Sequence, residues 1–311
     1  MPDPSTTAPT GPLLASQAPL LGVTRRELDG PAYRLVFRGV LVTASMPDTV
    51  VVRARCALLL APEGAAFSHW TAARLWGGVV PENEWTHVSF MRDVRFRVRG
   101  ITPHRFRHRL DIKRRHGLPV TSPEQTFCHL ARHLGLVDLV ALGDRFVKKQ
   151  RCSTADLVSY ADGWVGQCRK EALDAARLVR DRVDSVPETA LRVLIVMAGL
   201  PEPQVDIRIH DADGAVRFRL DLGYEEVKLA IEYDGRWHDQ AEQAEKDEVR
   251  RTTLSRDDGW TFAIVTADDL FGDAQGLLTR LNDVMREHGI PVPARLNDAW
   301  RVHFRVSDVA A

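Results

Sequence analysis

Between Phe218 and Leu222 apolar and polar residues alternate: Phe218, Leu220 and Leu222 against Arg219 and Asp221. A period of two predicts a strand over 217–222 with one face buried. After a turn at 223–227, Lys228 to Tyr233 predicts a second strand ending near Asp234. Its mostly apolar composition suits a central strand covered on both faces. Val205–Ile209 and Trp260–Val265 predict two more strands, with Asp213-Gly214 as a hairpin turn. Helical spacing predicts helices over Pro123–Leu134, Leu136–Lys148, Thr154–Ala161, Gly166–Val179, Asp184–Met197, Gln240–Arg256 and Asp273–His288. In Asp184–Met197, Leu191, Leu194 and Ile195 form the stripe to be buried.

Nearer the start, Tyr33–Val42 predicts one or two strands broken at Gly39, and Val50–Leu60 a helix. Phe67–Leu75 predicts a helix with Ser68 as its N-cap. Thr24, with Glu27 three residues on, predicts a short capped helix. Thr86–Phe90, Val94–Val98 and Arg105–Leu110 predict strands. Residues 1–18, rich in Pro, Ser, Thr and Ala, predict a disordered leader. A chain of 311 residues has room for two domains. The pattern divides it into an α+β region over 19–180, an α/β region over 181–290 and a tail over 291–311.

Charge changes the picture locally. The whole chain balances 42 basic against 42 acidic residues. From Met91 to His116 there are 10 Lys/Arg and 2 Asp/Glu, whereas from Asp221 to Glu248 there are 3 and 10. A basic stretch can grip phosphate while an acidic one chelates metal. The four cysteines form no C-x-x-C pair, which argues against a zinc site and fits reduced thiols in a cytoplasm. No apolar run approaches the ~20 residues of a membrane helix. The first residues lack the pattern of a signal peptide. The oligomeric state stays open between a homodimer, a partner protein and neither.

Two groups of side chains carry candidate chemistry. Glu232 and Asp234 are two apart on one strand and share a face, with Asp221 on the strand before. Converging carboxylates repel unless a cation lies between them, and Mg²⁺ or Mn²⁺ is the simplest hard cation for carboxylate oxygens. Arg95, Arg97 and Arg99 alternate with apolar residues, so as a strand they place their guanidiniums on one face, a row suited to a phosphate backbone.

The hairpin resembles the core of the PD-(D/E)XK, or restriction-endonuclease-like, superfamily, and more closely its very-short-patch-repair endonuclease branch. The positions are Glu188, Asp221, Glu232, Asp234, Gly235, His238, Asp247, Arg250, Leu254, Gly259 and Trp260, within roughly 186–281. The resemblance implies a three-layer α/β/α core with a mixed sheet. It implies a metal-dependent DNA endonuclease in which Asp221 and Glu232 hold one Mg²⁺ (or Mn²⁺). Asp234 or Glu188 would help hold a second, His238 would protonate the leaving oxygen or position water, and Arg250 would reach phosphate. Asp234 stands where the superfamily has its lysine, as the repair endonucleases also lack that lysine.

The first half resembles the abortive-infection antitoxin family of the AbiEi type. R-L-V-F-R-G-V-L-V, S-H-W-T-A-A-R-L-W-G and G-L-P-V-T-S-P-E-Q-T-F carry the likeness across roughly 22–147. Those proteins pair a DNA-binding winged helix-turn-helix with a second domain; what corresponds here is the wing and the second domain. This resemblance implies the alternative function, a non-enzymatic DNA-binding regulator with a degenerate nuclease domain.

Overall fold

A computed structural model describes residues 11–235 and 241–304, without the side chains of 241–247. The chain is a mixed α/β protein, as its pattern predicts, and forms two compact units. The first comprises residues up to His133 and Arg151–Leu173; the second comprises Leu134–Gln150 and the chain from Asp174.

In the first unit, β1 (Leu13–Leu14), α1 (Arg25–Leu28), β2 (Tyr33–Phe37) and β3 (Val40–Thr43) make a small antiparallel layer in the order β1-β3-β2. Thr24 and Glu27 close the capping box on α1. Gly39 turns the chain between β2 and β3 at a φ of 79°, where a side chain would be strained. Residues 11–18 are not a disordered leader: Leu13 and Ala18 are buried, and Leu13 pairs with Leu41. Two leucines and an alanine give that short stretch enough apolar surface to stay down.

There follow α2 (Val50–Leu58), β4 (Ala66–Phe67), α3 (His69–Trp76), β5 (Thr86–Phe90), β6 (Ile101–Arg105), β7 (Ile112–Arg115), β8 (Leu118–Thr121) and α4 (Pro123–Leu130). Their strands form a mixed sheet in the order β6-β5-β4-β8-β7, with β5–β6 and β4–β8 parallel. Two expected strands fail. Val94–Val98 is irregular and largely exposed, and Arg105–Leu110 is strand at Arg105 alone. Alternation without a neighbour to pair with does not make a strand, since backbone groups left unpaired by a ladder fall to water.

The chain then gives α5 (Leu136–Lys148) to the second unit and returns with α6 (Thr154–Asp162) before α7 (Arg169–Leu178). The division therefore departs from a boundary at residue 180. Helix α5 goes with the second unit because its polar Asp144, buried mid-helix, finds its partner there.

The second unit continues with α8 (Val186–Met197), β9 (Gln204–His210), β10 (Val216–Tyr224), β11 (Leu229–Asp234), α9 (Ala241–Asp258), β12 (Thr261–Thr266) and α10 (Ala274–Glu287). The sheet order is β12-β11-β10-β9, antiparallel except for the parallel pair β11–β12, so it is mixed. One apolar cluster joins Leu191, Leu194 and Ile195 of α8 to Leu222, Ile231, Val265 and α10. Another joins Leu254 of α9 to Ile207, Leu220, Ala230 and Trp260. Strand β11 contributes to both, so Leu229, Ala230 and Ile231 are fully buried. Each large side chain so buried stabilises the fold by roughly 1.5–3 kcal/mol. Trp300 also enters the first cluster, so 291–304 is packed chain and not a loose tail. Gly223 pairs with Ala230 across β10 and β11, and a Cβ there would stand 2.5 Å from the Leu229 carbonyl oxygen.

A buried ion pair ties α5 to α8. Arg192 is fully buried and donates to Asp144 at 3.0 Å. Asp144 also accepts from Thr189 Oγ1 at 2.8 Å and the Arg180 backbone N–H at 2.6 Å. Arg192 further donates to the Leu178 carbonyl at 2.7 Å. With partners on both sides, neither charge is left uncompensated out of water. All four cysteines are free.

Candidate functional site

The acidic site is built where β10 and β11 begin to pair. Leu222 pairs with Ile231, so Asp221 and Glu232 flank that pair on neighbouring strands. A cavity of about 190 Å³ is lined by Asp221, Glu232, Tyr233, Asp234, Arg250 and Arg251. Three of the predicted acids therefore meet one hollow. Glu232 is buried there, and Asp221 and Asp234 are half-buried.

Asp221 has an unfavourable environment for charge. Burial first, then the neighbouring carboxylates of Glu188 and Glu232, push its carboxyl up to about 7, with Arg250 opposing. Glu188 stands at the third position of α8, where its carboxylate accepts the Asp184 backbone N–H at 3.0 Å. Ser185 caps the same helix by accepting the Glu188 N–H. Glu188 thus serves the helix terminus as well as facing Asp221.

Arg250 of α9 does not extend into open solvent toward a phosphate. Its Nη2 donates to both oxygens of Glu232, at 2.8 and 2.9 Å, and its Nη1 to the Arg219 carbonyl at 2.9 Å. Arg251 adds a longer ion pair to Glu232 at 3.8 Å. Among the described residues, the carboxylates of Asp221, Glu232 and Asp234 do not bring three ligand atoms within 4.8 Å of one another. His238 and the side chain of Asp247 lie outside the described residues.

Arg95, Arg97 and Arg99 are exposed on the irregular link between β5 and β6. The single strand face expected for them does not form, but all three guanidiniums stay on the surface of the basic stretch.

A second constellation has no counterpart in the reading of the chain's motifs. His69 opens α3, His87 lies on β5 and His104 on β6, and one ring nitrogen of each lies within 4.8 Å of the other two. His87 Nδ1 is 2.9 Å from His104 Nε2, and His69 stacks on His104 with ring centres 3.8 Å apart. Ser68 was expected to cap α3, but its side chain makes no cap bond; it lies 2.8 Å from His69 Nδ1 and accepts from Ser89 at 2.6 Å. Burial first, then the neighbouring imidazoles, holds His87 down to about 3 and His104 to about 4. The spacing of these histidines carries no motif. A usable signal is density: seven of the eleven histidines fall between His69 and His133.

No family model matches the chain. Two curated proteins of Mycobacterium tuberculosis are similar to it, Uncharacterized protein MT2308 from strain CDC 1551 / Oshkosh and Uncharacterized protein Rv2248 from strain ATCC 25618 / H37Rv. Each is 27% identical over 219 residues, which cover 68% of this chain and 78% of the relative. Among the described residues no helix is long and apolar enough to cross a membrane.

Proposed function

We propose that the protein is a metal-dependent DNA endonuclease of the cytoplasm, with its phosphodiesterase site at Asp221 and Glu232 and a role in DNA repair or phage defence. One observation carries this reading. Two acids from adjacent strands line one small hollow, and burial, reinforced by the neighbouring carboxylates of Glu188 and Glu232, raises the carboxyl of Asp221 to about 7. Mutually repelling acids in a concave site are a signature of function more than of packing.

The donor set suits Mg²⁺ or Mn²⁺. Mg²⁺ needs only one or two protein carboxylates and takes its other ligands from water and phosphate. Asp221 and Glu232 would hold it, with Asp234 at the rim of the same cavity. Bound there, the ion would lower the pKa of water and offset charge on the scissile phosphate. Arg250 holds Glu232 in one orientation and supplies positive charge beside the phosphate path. His238 is retained from the sequence as the group that would protonate the leaving oxygen or position water. The exposed Arg95, Arg97 and Arg99 would contribute sequence-independent contacts to the DNA backbone.

The bidentate grip of Arg250 on Glu232 favours a second reading, a non-enzymatic antitoxin-type DNA-binding regulator whose acids are neutralised from within. Plasmid nicking in Mg²⁺ or Mn²⁺ separates the two. The endonuclease reading expects nicking by the wild type and its loss in Asp221→Ala and Glu232→Ala. Equal activity in all three proteins would mark the cleavage as contamination. DNA binding without any nicking would favour the regulator.

A further inference from the structure

We infer that the histidine cluster of the first unit is a binding site for a first-row transition-metal ion of the Zn²⁺ class, held by His69, His87 and His104. The three ligands come from three elements, α3, β5 and β6, so the fold and not a local motif assembles them. Imidazole is a borderline donor that suits Zn²⁺ and its neighbours over Mg²⁺, so this site and the acidic one would sort their ions by ligand chemistry.

One ligand pair needs little adjustment, whereas the His69 ring, stacked on His104 with planes 17° apart, must turn to direct its nitrogen at the same ion. Zinc–nitrogen bonds of ~2.0–2.1 Å set two tetrahedral ligands about 3.3 Å apart. His87 Nδ1 and His104 Nε2 stand 2.9 Å apart, so an ion replacing the proton between them requires an opening of a few tenths of an ångström. His87 Nε2 meets Asn83 Oδ1 at 3.0 Å, and His69 Nδ1 meets Ser68 Oγ at 2.8 Å. A polar partner on the far nitrogen is how proteins hold a metal-binding imidazole in its tautomer. With Asn83 accepting from Nε2–H, the Nδ1 lone pair of His87 points into the cluster.

Two independent features point the same way. His69 is buried at the first position of α3 with a φ of 49°, a left-handed backbone that costs energy for a residue with a side chain. The cluster also borders a cavity of about 410 Å³, lined in part by His129, whose two buried ring nitrogens have no hydrogen-bond partner. Unsatisfied buried polar atoms are rare enough to call for an occupant. Two of the three imidazoles, His69 and His104, line this space, so a fourth position on the ion would open to water or to a small ligand.

The test uses the full-length protein stripped with chelator and then titrated with Zn²⁺ or Co²⁺ alone. One ion should bind per chain, and Co²⁺ should show the visible absorption of a tetrahedral nitrogen site. His104→Ala and His87→Gln should abolish that spectrum. Asn83→Ala, which removes no ligand, should weaken Zn²⁺ binding by about tenfold or more. Asp221→Ala should leave stoichiometry and spectrum unchanged, which separates this site from the acidic one. Absence of Zn²⁺ binding in the wild type would overturn the inference. So would an unchanged Co²⁺ spectrum in folded His87→Gln. If both ligand variants fail to fold, undiminished affinity in Asn83→Ala overturns it.

Discussion

Arg250 Nη2 lies 2.8 Å from one carboxylate oxygen of Glu232 and 2.9 Å from the other. This pair sets the charge state of the acidic hollow, because it gives Glu232 a counter-charge that Asp221 lacks to the same degree. Replacing Arg250 by Met removes that charge and leaves Glu232 buried. The metal-free protein should lose about 1–3 kcal/mol. Stabilisation by Mn²⁺ should exceed that of the wild type, read as the shift in thermal midpoint on adding the ion. An identical Mn²⁺ response in the two proteins would show that the arginine does not compete with a cation.

Asp221 gives a pH signature. Folding raises its carboxyl to about 7, so the folded chain binds this proton more tightly than the unfolded chain does. On this group's account stability is fullest below the ordinary aspartate pKa, about 4, and declines as pH rises toward 7. Asp221→Asn removes the ionisation and should be more stable than wild type above pH 7, by about 1–3 kcal/mol. Urea midpoints of both proteins at pH 5 and pH 8 check this. The gap should be widest at pH 8 and about a third as large at pH 5.

Asp144 and Arg192 are worth more when broken singly than when replaced together. Asp144→Ala should cost about 3–5 kcal/mol, since it leaves the fully buried Arg192 guanidinium with the longer pair to Glu202, at 3.4 Å, as its charge partner. Asp144→Leu combined with Arg192→Met should recover most of that loss. A double-mutant cycle from denaturant unfolding reads the coupling.

Gly223→Ala should destabilise the second unit by about 2 kcal/mol or more, because the new methyl meets backbone on the adjacent strand. Gly272→Ala, with nothing within 4 Å of a built Cβ, is the matched control and should stay within about 0.5 kcal/mol of wild type. Thermal unfolding compares them.

If Arg95, Arg97 and Arg99 contact DNA phosphates, replacing all three by Ala should make the salt dependence of DNA affinity shallower by up to about three in log–log slope. Fluorescence anisotropy across a salt series measures it. An unchanged slope would remove this segment from the interface.

Much of the second unit was legible in the sequence. Leu229–Asp234 reads as a central strand because three successive apolar residues need cover on both faces, and the clusters on either side supply it. Leu136–Lys148 reads as a helix to its last residue because its apolar stripe keeps strict helical spacing. Asp221, Glu232 and Asp234 do line one hollow. The bidentate hold of Arg250 on Glu232 was not legible, because it depends on how α9 lies over β11, a tertiary fact with no spacing rule. The strand expected at Val94–Val98 failed because alternation records only which faces differ and not whether a neighbour exists to pair with. The histidine cluster was hidden for a related reason: His69, His87 and His104 are far apart in the chain and meet only once α3 lies beside β5 and β6.

The interleaving of the two units has a consequence for the order in which the chain can mature on the ribosome. Helix α5 is synthesised early, yet its Asp144 meets Arg192 only after 48 further residues have been made. During that interval the helix carries an acid on a face destined for the interior, so water must keep solvating it until α8 arrives. Translation from the first residue onward therefore leaves α5 waiting, and the second unit seals as its later segments emerge.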